Sequence, residues 1–278
     1  LFEKIEWNPI KNINLTGEYT YEKNNTSTLA INNGQRFISP FRFNPTTEAD
    51  NVFSRTSLTR GKTQRVYSAL NLYAKYNVNL DNHNINVLAG LNREEQSSEN
   101  LSVMRNGLID PTTPTFELAE GENFDISESF TDWAVVGYFA RLNYNYKERY
   151  FAEANVRYDG SSIFAQGDRF VVLPSFSVAW NIAKESFMEN LDFISLFKPR
   201  ASWGQIGNQI ARKTNGSRDY YPFNPGYESF SASWINGDTD LRYLTFDPAQ
   251  LISAGLTWEE IVSSNIGLDV ALFNNRLS

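Results

Sequence analysis

The stretch from Val135 to Asp159 alternates apolar and polar residues with a period of two. The even positions from Val136 to Tyr146 are apolar or aromatic, and the alternation resumes at Tyr150 after a break at residues 147–149. Because successive side chains of a β-strand point to opposite faces, this pattern predicts a hairpin with one apolar and one polar face. The predicted polar face carries Arg141, Asn143, Asn145, Glu153, Asn155, Arg157 and Asp159.

Two structures fit this hairpin pattern. Each run has about ten residues, the length of a tilted strand that crosses a bilayer. Tyrosine recurs at both ends of the apolar face, where aromatic rings meet lipid headgroups. The charges on the other face are too many for a dry core but suit a water-filled or plugged lumen. The alternative is an edge hairpin of a soluble sheet, with the polar face in solvent.

The same alternation predicts about nine strands along the chain. They lie near residues 1–7, 13–22, 66–76, 85–91, 136–146, 150–159, 170–182, 198–206 and 263–273. A weak helical pattern at residues 183–193 predicts a helical turn at the rim of the sheet.

The connections between these strands decide between the two structures. Long irregular stretches at about residues 23–64, 93–132 and 207–247 alternate with short turns. Outer-membrane barrels have short turns on one side and long loops on the other, whereas a soluble sandwich has no reason for that asymmetry. We therefore predict an all-β fold, an antiparallel up-and-down transmembrane β-barrel. Because barrels with about 22 strands are the plugged transporters and small ones close with about eight, nine strands with open ends predict part of a larger barrel.

Composition narrows the function further. The 278 residues have a net charge of -7 and a pI near 4.9, which argues against a nucleic-acid partner because such proteins carry basic patches. The mean hydropathy is -0.43, and no stretch approaches the roughly 20 apolar residues of a transmembrane helix. A membrane protein of this composition must therefore cross with strands.

Several motifs, in this order and spacing, resemble the barrel of the SusC/RagA-like TonB-linked outer-membrane transporters. The resemblance is strong over about residues 133–278, and the earlier part shares only the rhythm of strands and loops. The motifs are GYFARLNYNY (137–146), RYDGSS (157–162), PSFSVAW (174–180), RASWGQIGN (200–208), LTWE (256–259), NIGLD (265–269) and FNNRL (273–277).

This resemblance implies a function that the residue pattern alone does not supply. It implies a 22-stranded barrel in the bacterial outer membrane, closed by a plug and energised through TonB, which imports an oligosaccharide or a peptide. It also implies a SusD-like surface lipoprotein as a lid, and contact with membrane lipids and lipopolysaccharide. We expect residues 1–278 to be a partial TonB-dependent receptor barrel domain, because they show no plug, no TonB box and too few strands. The alternative is a passive outer-membrane pore or a surface glycan-binding β-protein without energy coupling.

Candidate binding residues lie in two places. The polar face of the hairpin would contact plug or cargo, or would only hold charge pairs that keep the wall solvated. The third long loop is rich in aromatic residues that suit cargo binding, contact with the lid, or packing of the loop on itself. These residues are Tyr220, Tyr221, Phe223, Tyr227, Phe230 and Trp234.

Catalysis and metal binding have little support in the sequence. His83 is the single histidine and cysteine is absent, so neither a Ser-His-Asp triad nor a zinc site is expected. Adjacent carboxylates such as Glu94 and Glu95 point to opposite sides of an extended strand, so they do not form a facing acid–base pair. We expect no enzyme activity, no cofactor and no metal.

Overall fold

Thirteen β-strands and three single 3₁₀ turns make up the described part of the chain. The computed structural model describes residues 1–33, 36–38, 51–53, 56–121, 124–191, 193–213, 216–224, 226, 229–235, 242–248, 255–273 and 276–277, with only the backbone at 36–38, 51–53, 229–235 and 242–244. The strands are β1 (Phe2–Ile10), β2 (Ile13–Asn32), β3 (Arg36–Ile38), β4 (Asn51–Phe53), β5 (Ser57–Leu80), β6 (His83–Asn106), β7 (Phe124–Tyr146), β8 (Tyr150–Ser161), β9 (Phe170–Trp180), β10 (Ile194–Asn208), β11 (Ser229–Ile235), β12 (Arg242–Phe246) and β13 (Glu259–Leu272).

Nine of these strands form one sheet in the order β1-β2-β5-β6-β7-β8-β9-β10-β13. The other four form two small hairpins, β3 with β4 and β11 with β12, within the long connections. Each strand of the main sheet therefore pairs with the next main-sheet strand along the chain, and alternate connections lie at opposite ends of the sheet. The predicted all-β antiparallel fold is confirmed.

The central hairpin forms as predicted, with one apolar and one polar face. Tyr146 pairs with Tyr150, and the ladder continues to Val135 opposite Ser161. Lys147 and Glu148, each with φ of 52°, are the central residues of a turn that the hydrogen bond from Arg149 N to the Tyr146 carbonyl oxygen (2.9 Å) closes. Positive φ at both central residues matches such a turn to the twist of its strands. The pairing places each even residue of β7 beside an even residue of β8, so the two faces predicted from the alternation extend across both strands.

Two predicted loops are shorter in the structure because their flanking segments are strands. The prediction for residues 23–64 is wrong at both ends, since β2 extends to Asn32 and β5 begins at Ser57. The prediction for residues 93–132 is also wrong at both ends, since β6 extends to Asn106 and β7 begins at Phe124. Many side chains in these extensions are exposed, so the sequence there has no apolar alternation to mark a strand. Backbone pairing and polar contacts such as Thr63 Oγ1 to Asn100 Oδ1 (2.8 Å) join the strands instead.

The turn predicted at residues 183–193 takes the form of two short 3₁₀ segments, Ile182–Lys184 and Ser186–Met188. None of the helical segments in the described residues has the length and apolar character that a membrane-spanning helix requires.

Contacts divide the chain into two units. The first contains Tyr21–Ser68 and Gln96–Asp132. Its small core includes Leu58, which is fully buried, and Leu108 and Ala119. Arg105, near the end of β6, donates to the carbonyl oxygens of Phe116 (2.7 Å) and Gly121 (2.8 Å) in the connection that follows, which fixes the path of that loop.

The second unit contains Phe2–Thr20, Ala69–Glu95 and Trp133–Ser278. Its core lies where the connection between β8 and β9 packs on β9, with Ile163, Phe164, Val171 and Leu173 buried. Most other large apolar side chains of its strands are exposed. A sheet with so little core leaves its apolar face to be covered by something outside the chain.

Candidate functional site

The polar face of the sheet carries rows of hydrogen-bonding side chains that cross several strands. Asn143 of β7 pairs with Glu153 of β8, Glu153 with Ser177 of β9, and Ser177 with Ser202 of β10. The row ends at Asn265 of β13, opposite Ser202. Because directly opposed residues of an antiparallel pair share a face, these strands together present one continuous polar surface.

Two concavities lie on this surface, and the seven residues predicted for the polar face line them. Asn143, Asn145 and Glu153 line the first, which has a volume of about 820 Å³. The second, of about 530 Å³, is lined by Arg141, Asn155, Arg157 and Asp159.

Contacts among these residues fix their geometry along the hairpin. Arg141 Nε donates to Asn155 Oδ1 at 2.6 Å, and Asn155 Nδ2 donates to Glu153 Oε1 at 2.7 Å. Arg157 donates from Nε and Nη2 to the two carboxylate oxygens of Asp159 at 3.0 and 2.9 Å. This bidentate pair holds the planar guanidinium of Arg157 against the polar face of the sheet.

Gly137 makes room for the Arg157–Asp159 pair. A Cβ atom at Gly137 would lie 2.4 Å from Asp159 Oδ1 and 2.8 Å from Arg157 Nη2. A side chain at this position would therefore displace the ion pair from the surface of β7.

The polar face also contains charged residues that sequence reasoning missed. Lys198 and Arg200 line the first concavity, and Arg200 Nε lies 3.3 Å from Asp269 Oδ1. Their alternation with Phe197 and Pro199 along β10 is the signal that could have identified them.

Cations also cover aromatic rings on this face. Lys198 Nζ lies 4.3 Å from the centre of the Phe151 ring, and the Arg157 guanidinium lies 5.8 Å from that of Phe139. These contacts hold the positive charges close to the polar face of the sheet. Each cation also covers one face of its ring, so that face is not available to another stacking partner.

Three of the aromatic loop residues named from the sequence are described with their side chains. Tyr220, Tyr221 and Phe223 are half-buried. The guanidinium of Arg218, which sequence reasoning also missed, lies between Tyr220 (5.3 Å) and Trp133 (5.6 Å). Tyr227 lies outside the described residues, and of Phe230 and Trp234 only the backbone in β11 is described.

The opposite face is apolar, and aromatic rings stack across its strands. Tyr146 stacks on Tyr150 and Tyr150 on Trp180 near the short-turn end. Tyr158 stacks on Phe170 near the other end, with ring centres 4.9 Å apart. Between these rows most exposed residues are aliphatic or Phe, such as Leu142, Val156 and Val178, and Trp203 stacks on Phe176.

A buried carboxylate links several side chains at the end of the sheet where the short turn between β7 and β8 lies. Glu185, which is 9% exposed, accepts hydrogen bonds from Trp180 Nε1 (2.9 Å) and Arg149 Nη1 (3.1 Å). The Tyr150 hydroxyl is a further partner, and these hydrogen bonds, with that of Tyr150 the strongest influence, hold the pKa of Glu185 below its ordinary value of 4.5. Lys184 forms a salt bridge with Glu148 in the neighbouring turn.

We predict a pH-dependent contribution of Glu185 to stability. A carboxyl whose pKa is lowered by folding stabilises the folded protein above its unfolded pKa, and this stabilisation is lost as pH falls through the folded value. The thermal midpoint of Glu185→Gln should therefore lie below that of the wild type at neutral pH, and the gap should narrow below about pH 4.5. Thermal unfolding in detergent across that pH range measures the gap; Glu189→Gln, an exposed carboxylate in the same connection, is the control. A gap that does not change with pH would contradict the assignment.

Comparison with protein families finds one matching family model. Residues 3–278 match the model described as "TonB dependent receptor-like, beta-barrel". This family is one of outer-membrane transporters and receptors rather than of enzymes.

Curated relatives agree with the family model. A TonB-dependent receptor of Formosa agariphila is 32% identical over 203 residues, which are 71% of this chain and 18% of that protein. The TonB-dependent receptor SusC of Bacteroides thetaiotaomicron is 32% identical over 144 residues, 52% of this chain and 14% of SusC. The chain thus spans about a fifth or less of the length of the curated relatives it matches.

Solved structures show the same fold. The structure of the RagAB peptide transporter matches with a TM-score of 0.78 at 18% identity, covering 99% of this chain and 28% of that chain. The "closed-closed" state of the RagAB peptide importer matches with a TM-score of 0.77 at 20% identity, with the same coverage.

Proposed function

Because the chain belongs to the TonB-dependent receptor-like β-barrel family, we propose that it forms part of the barrel wall of an importer in the bacterial outer membrane. The importer takes up an oligosaccharide or a peptide and draws energy through TonB. The likeness of the fold to that of a peptide transporter supports a peptide as one of these two cargoes. The chain itself supplies wall strands and the loops between them.

The observation that carries this proposal is the two-faced sheet. One face exposes stacked aromatic rings at both ends of an apolar band, which is the pattern of a lipid-facing barrel surface. Ten residues separate Tyr146 from Val136 along β7, or roughly 33 Å of strand, which at a tilt near 40° spans an apolar band of about 25 Å. The strands therefore cross the membrane, and the protein is a multi-pass one.

The polar face then lines the lumen. Arg141, Asn143, Asn145, Glu153, Asn155, Arg157 and Asp159 are proposed as lumen-facing residues. Lys198, Arg200 and Asp269 join them, because they lie on the same face. A wall with both charge signs and many amides exchanges hydrogen bonds with a polar cargo or with a plug domain at little desolvation cost.

The proposed partners come from the resemblance to SusC and to the RagAB transporter. A SusD-like surface lipoprotein would close over the end of the barrel that bears the long loops, where Tyr220, Tyr221, Phe223, Tyr227, Phe230 and Trp234 are proposed to contact lid or cargo. Half-buried aromatic side chains anchor protein interfaces and stack on sugars. Contact with TonB would be made by a segment other than these residues.

Uptake in the native bacterium tests the proposal. A strain lacking the gene should lose growth on one member of a panel of oligosaccharides and peptides supplied as sole nutrient, and regain it when the full gene is restored. Loss of TonB should abolish the same growth. If growth persists at the full rate without TonB, the protein is instead a passive pore.

A further inference from the structure

The side chain of Arg218 contacts two aromatic rings at the long-loop end of the polar face. Its guanidinium carbon lies 5.3 Å from the centre of the Tyr220 ring and 5.6 Å from that of Trp133. The alternation along β7 places Trp133 on the same face as Gly137 and Arg141. Cation–π contacts with two half-buried rings therefore hold this charge in one position at the end of the polar face.

The donors of this guanidinium have no acceptor within the part of the chain that the structure describes. Arg218 Nε is buried, and among those residues it has no hydrogen-bond partner. Arg157 and Arg200 on the same face each contact a carboxylate instead. A guanidinium has five N–H donors, and a buried donor without an acceptor costs free energy. The Arg218 site therefore points to an acceptor that binds from outside these residues.

A short hairpin fixes the backbone around Arg218. Arg212 and Arg218 form an antiparallel bridge, and Asp219 N donates to the Ala211 carbonyl oxygen at 2.9 Å. Arg212 Nη1 donates to the carbonyl oxygen of Gly216 at 3.0 Å, and Gly216 turns the chain with a φ of 77–81° class value of 81°. Because these contacts order the segment in advance, a ligand at Arg218 binds with little loss of loop freedom.

The acidic residue beside Arg218 is used by the loop itself. Asp219 is the one carboxylate in residues 211–219, and its Oδ1 accepts a hydrogen bond from the Tyr221 amide at 3.1 Å. Arg218 therefore keeps its positive charge available to an anion. An arginine with free donors binds a carboxylate through two parallel, charge-assisted hydrogen bonds.

We propose that Arg218 binds a carboxylate of the cargo, so that the importer takes up acidic peptides or uronate-bearing oligosaccharides in preference to their neutral counterparts. Trp133 and Tyr220 hold the guanidinium while its N–H groups donate to the carboxylate oxygens. The inference rests on the proposed function, because it names the chemical class of the cargo that this importer carries.

Equilibrium dialysis of the full-length protein in detergent tests the inference. The probes are short synthetic peptides rich in aspartate and glutamate, and oligogalacturonate. Each probe is also used with its carboxylates blocked, as the amides of the peptides and the methyl ester of the oligogalacturonate. The wild type should bind one of the two carboxylate probes at least about tenfold more tightly than its blocked form, and the probe that binds identifies the source of the carboxylate.

Three variants separate recognition from folding. Arg218→Gln should lose the preference for the carboxylate form but bind the blocked form as the wild type does. Arg218→Lys keeps the charge without the planar fork and should recover only part of the preference. Lys213→Gln removes an exposed cation from the same hairpin and should keep the full preference.

Equal binding of the carboxylate and blocked forms by the wild type, or of the carboxylate form by the wild type and Arg218→Gln, would overturn the inference. A loss of both forms in Arg218→Gln would also overturn it, because the residue would then only support the loop. Growth that does not need TonB, with the carboxylate preference intact, would instead overturn the proposed function alone.

Discussion

Replacing Val156 by arginine is expected to lower the free energy of unfolding by about 2–4 kcal/mol, the cost of a charge at the midplane of a lipid-facing barrel surface. Val156 lies in the middle of β8, between Ala140 and Pro174 on the apolar face, and is exposed. In the folded barrel an arginine there would face hydrocarbon. Urea unfolding of the full-length protein in lipid vesicles, followed by tryptophan fluorescence, measures the difference.

The matched control is Ser177→Arg on the opposite face. Ser177 lies on β9 directly opposite Glu153, so the new charge would face water and an opposite charge. Its free energy of unfolding should stay within about 1 kcal/mol of the wild type, the usual range for an exposed ion pair. Equal losses for Val156→Arg and Ser177→Arg would show that the two faces are not lipid and lumen.

Replacing Phe164 by alanine is expected to cost about 3–5 kcal/mol in the local stability of the connection between β8 and β9. Phe164 is 3% exposed, packs against Trp258 with ring centres 5.4 Å apart, and lies beside the fully buried Ile163. Its removal would leave a cavity in the core of this unit. Hydrogen exchange of the backbone amides at residues 161–169 measures the local opening free energy.

Phe187→Ala is the control for this substitution. Phe187 is 64% exposed in the connection between β9 and β10, so its truncation removes little packing. Faster exchange at residues 161–169 in Phe164→Ala but not in Phe187→Ala is the expected result. Unchanged exchange in Phe164→Ala would contradict the structural role of this core.

The sequence predicted the central hairpin well, because one physical pattern governs it. Where one face is apolar and the other polar, a shift of one residue would move every side chain to the wrong face. The register from Tyr146 opposite Tyr150 to Val135 opposite Ser161 follows from that constraint. The family and its fold were likewise predicted from ordered motifs, and the family model and curated relatives confirm them.

The strand extensions and the packed connections could not be predicted in the same way. The extension of β2 is exposed throughout, and those of β5 and β6 consist mostly of polar residues, so no apolar alternation marks them. The contact between Phe164 and Trp258 joins residues far apart in sequence. Trp258 also donates from Nε1 to the carbonyl oxygen of Arg169 at 2.8 Å. Such long-range contacts depend on the tertiary structure and leave no local signal.

The candidate site was predicted in part. The lumen-facing residues proposed from the hairpin share one face in the structure because the alternation of a paired strand determines its faces. Lys198, Arg200 and Asp269 could not be assigned to this face from sequence, because the pairing of β10 with β9 and with β13 decides which of their residues share it. The aromatic loop residues proposed to contact cargo suit sugars and peptides alike, so they predict no single cargo.

The mass of the native polypeptide, extracted in detergent from the outer membrane, tests the central claim most directly. The account predicts a membrane-embedded protein with a mass several times the 31.7 kDa of these residues, because its relatives are much longer than this chain. A protein of about 31.7 kDa that stays in solution without detergent would contradict it.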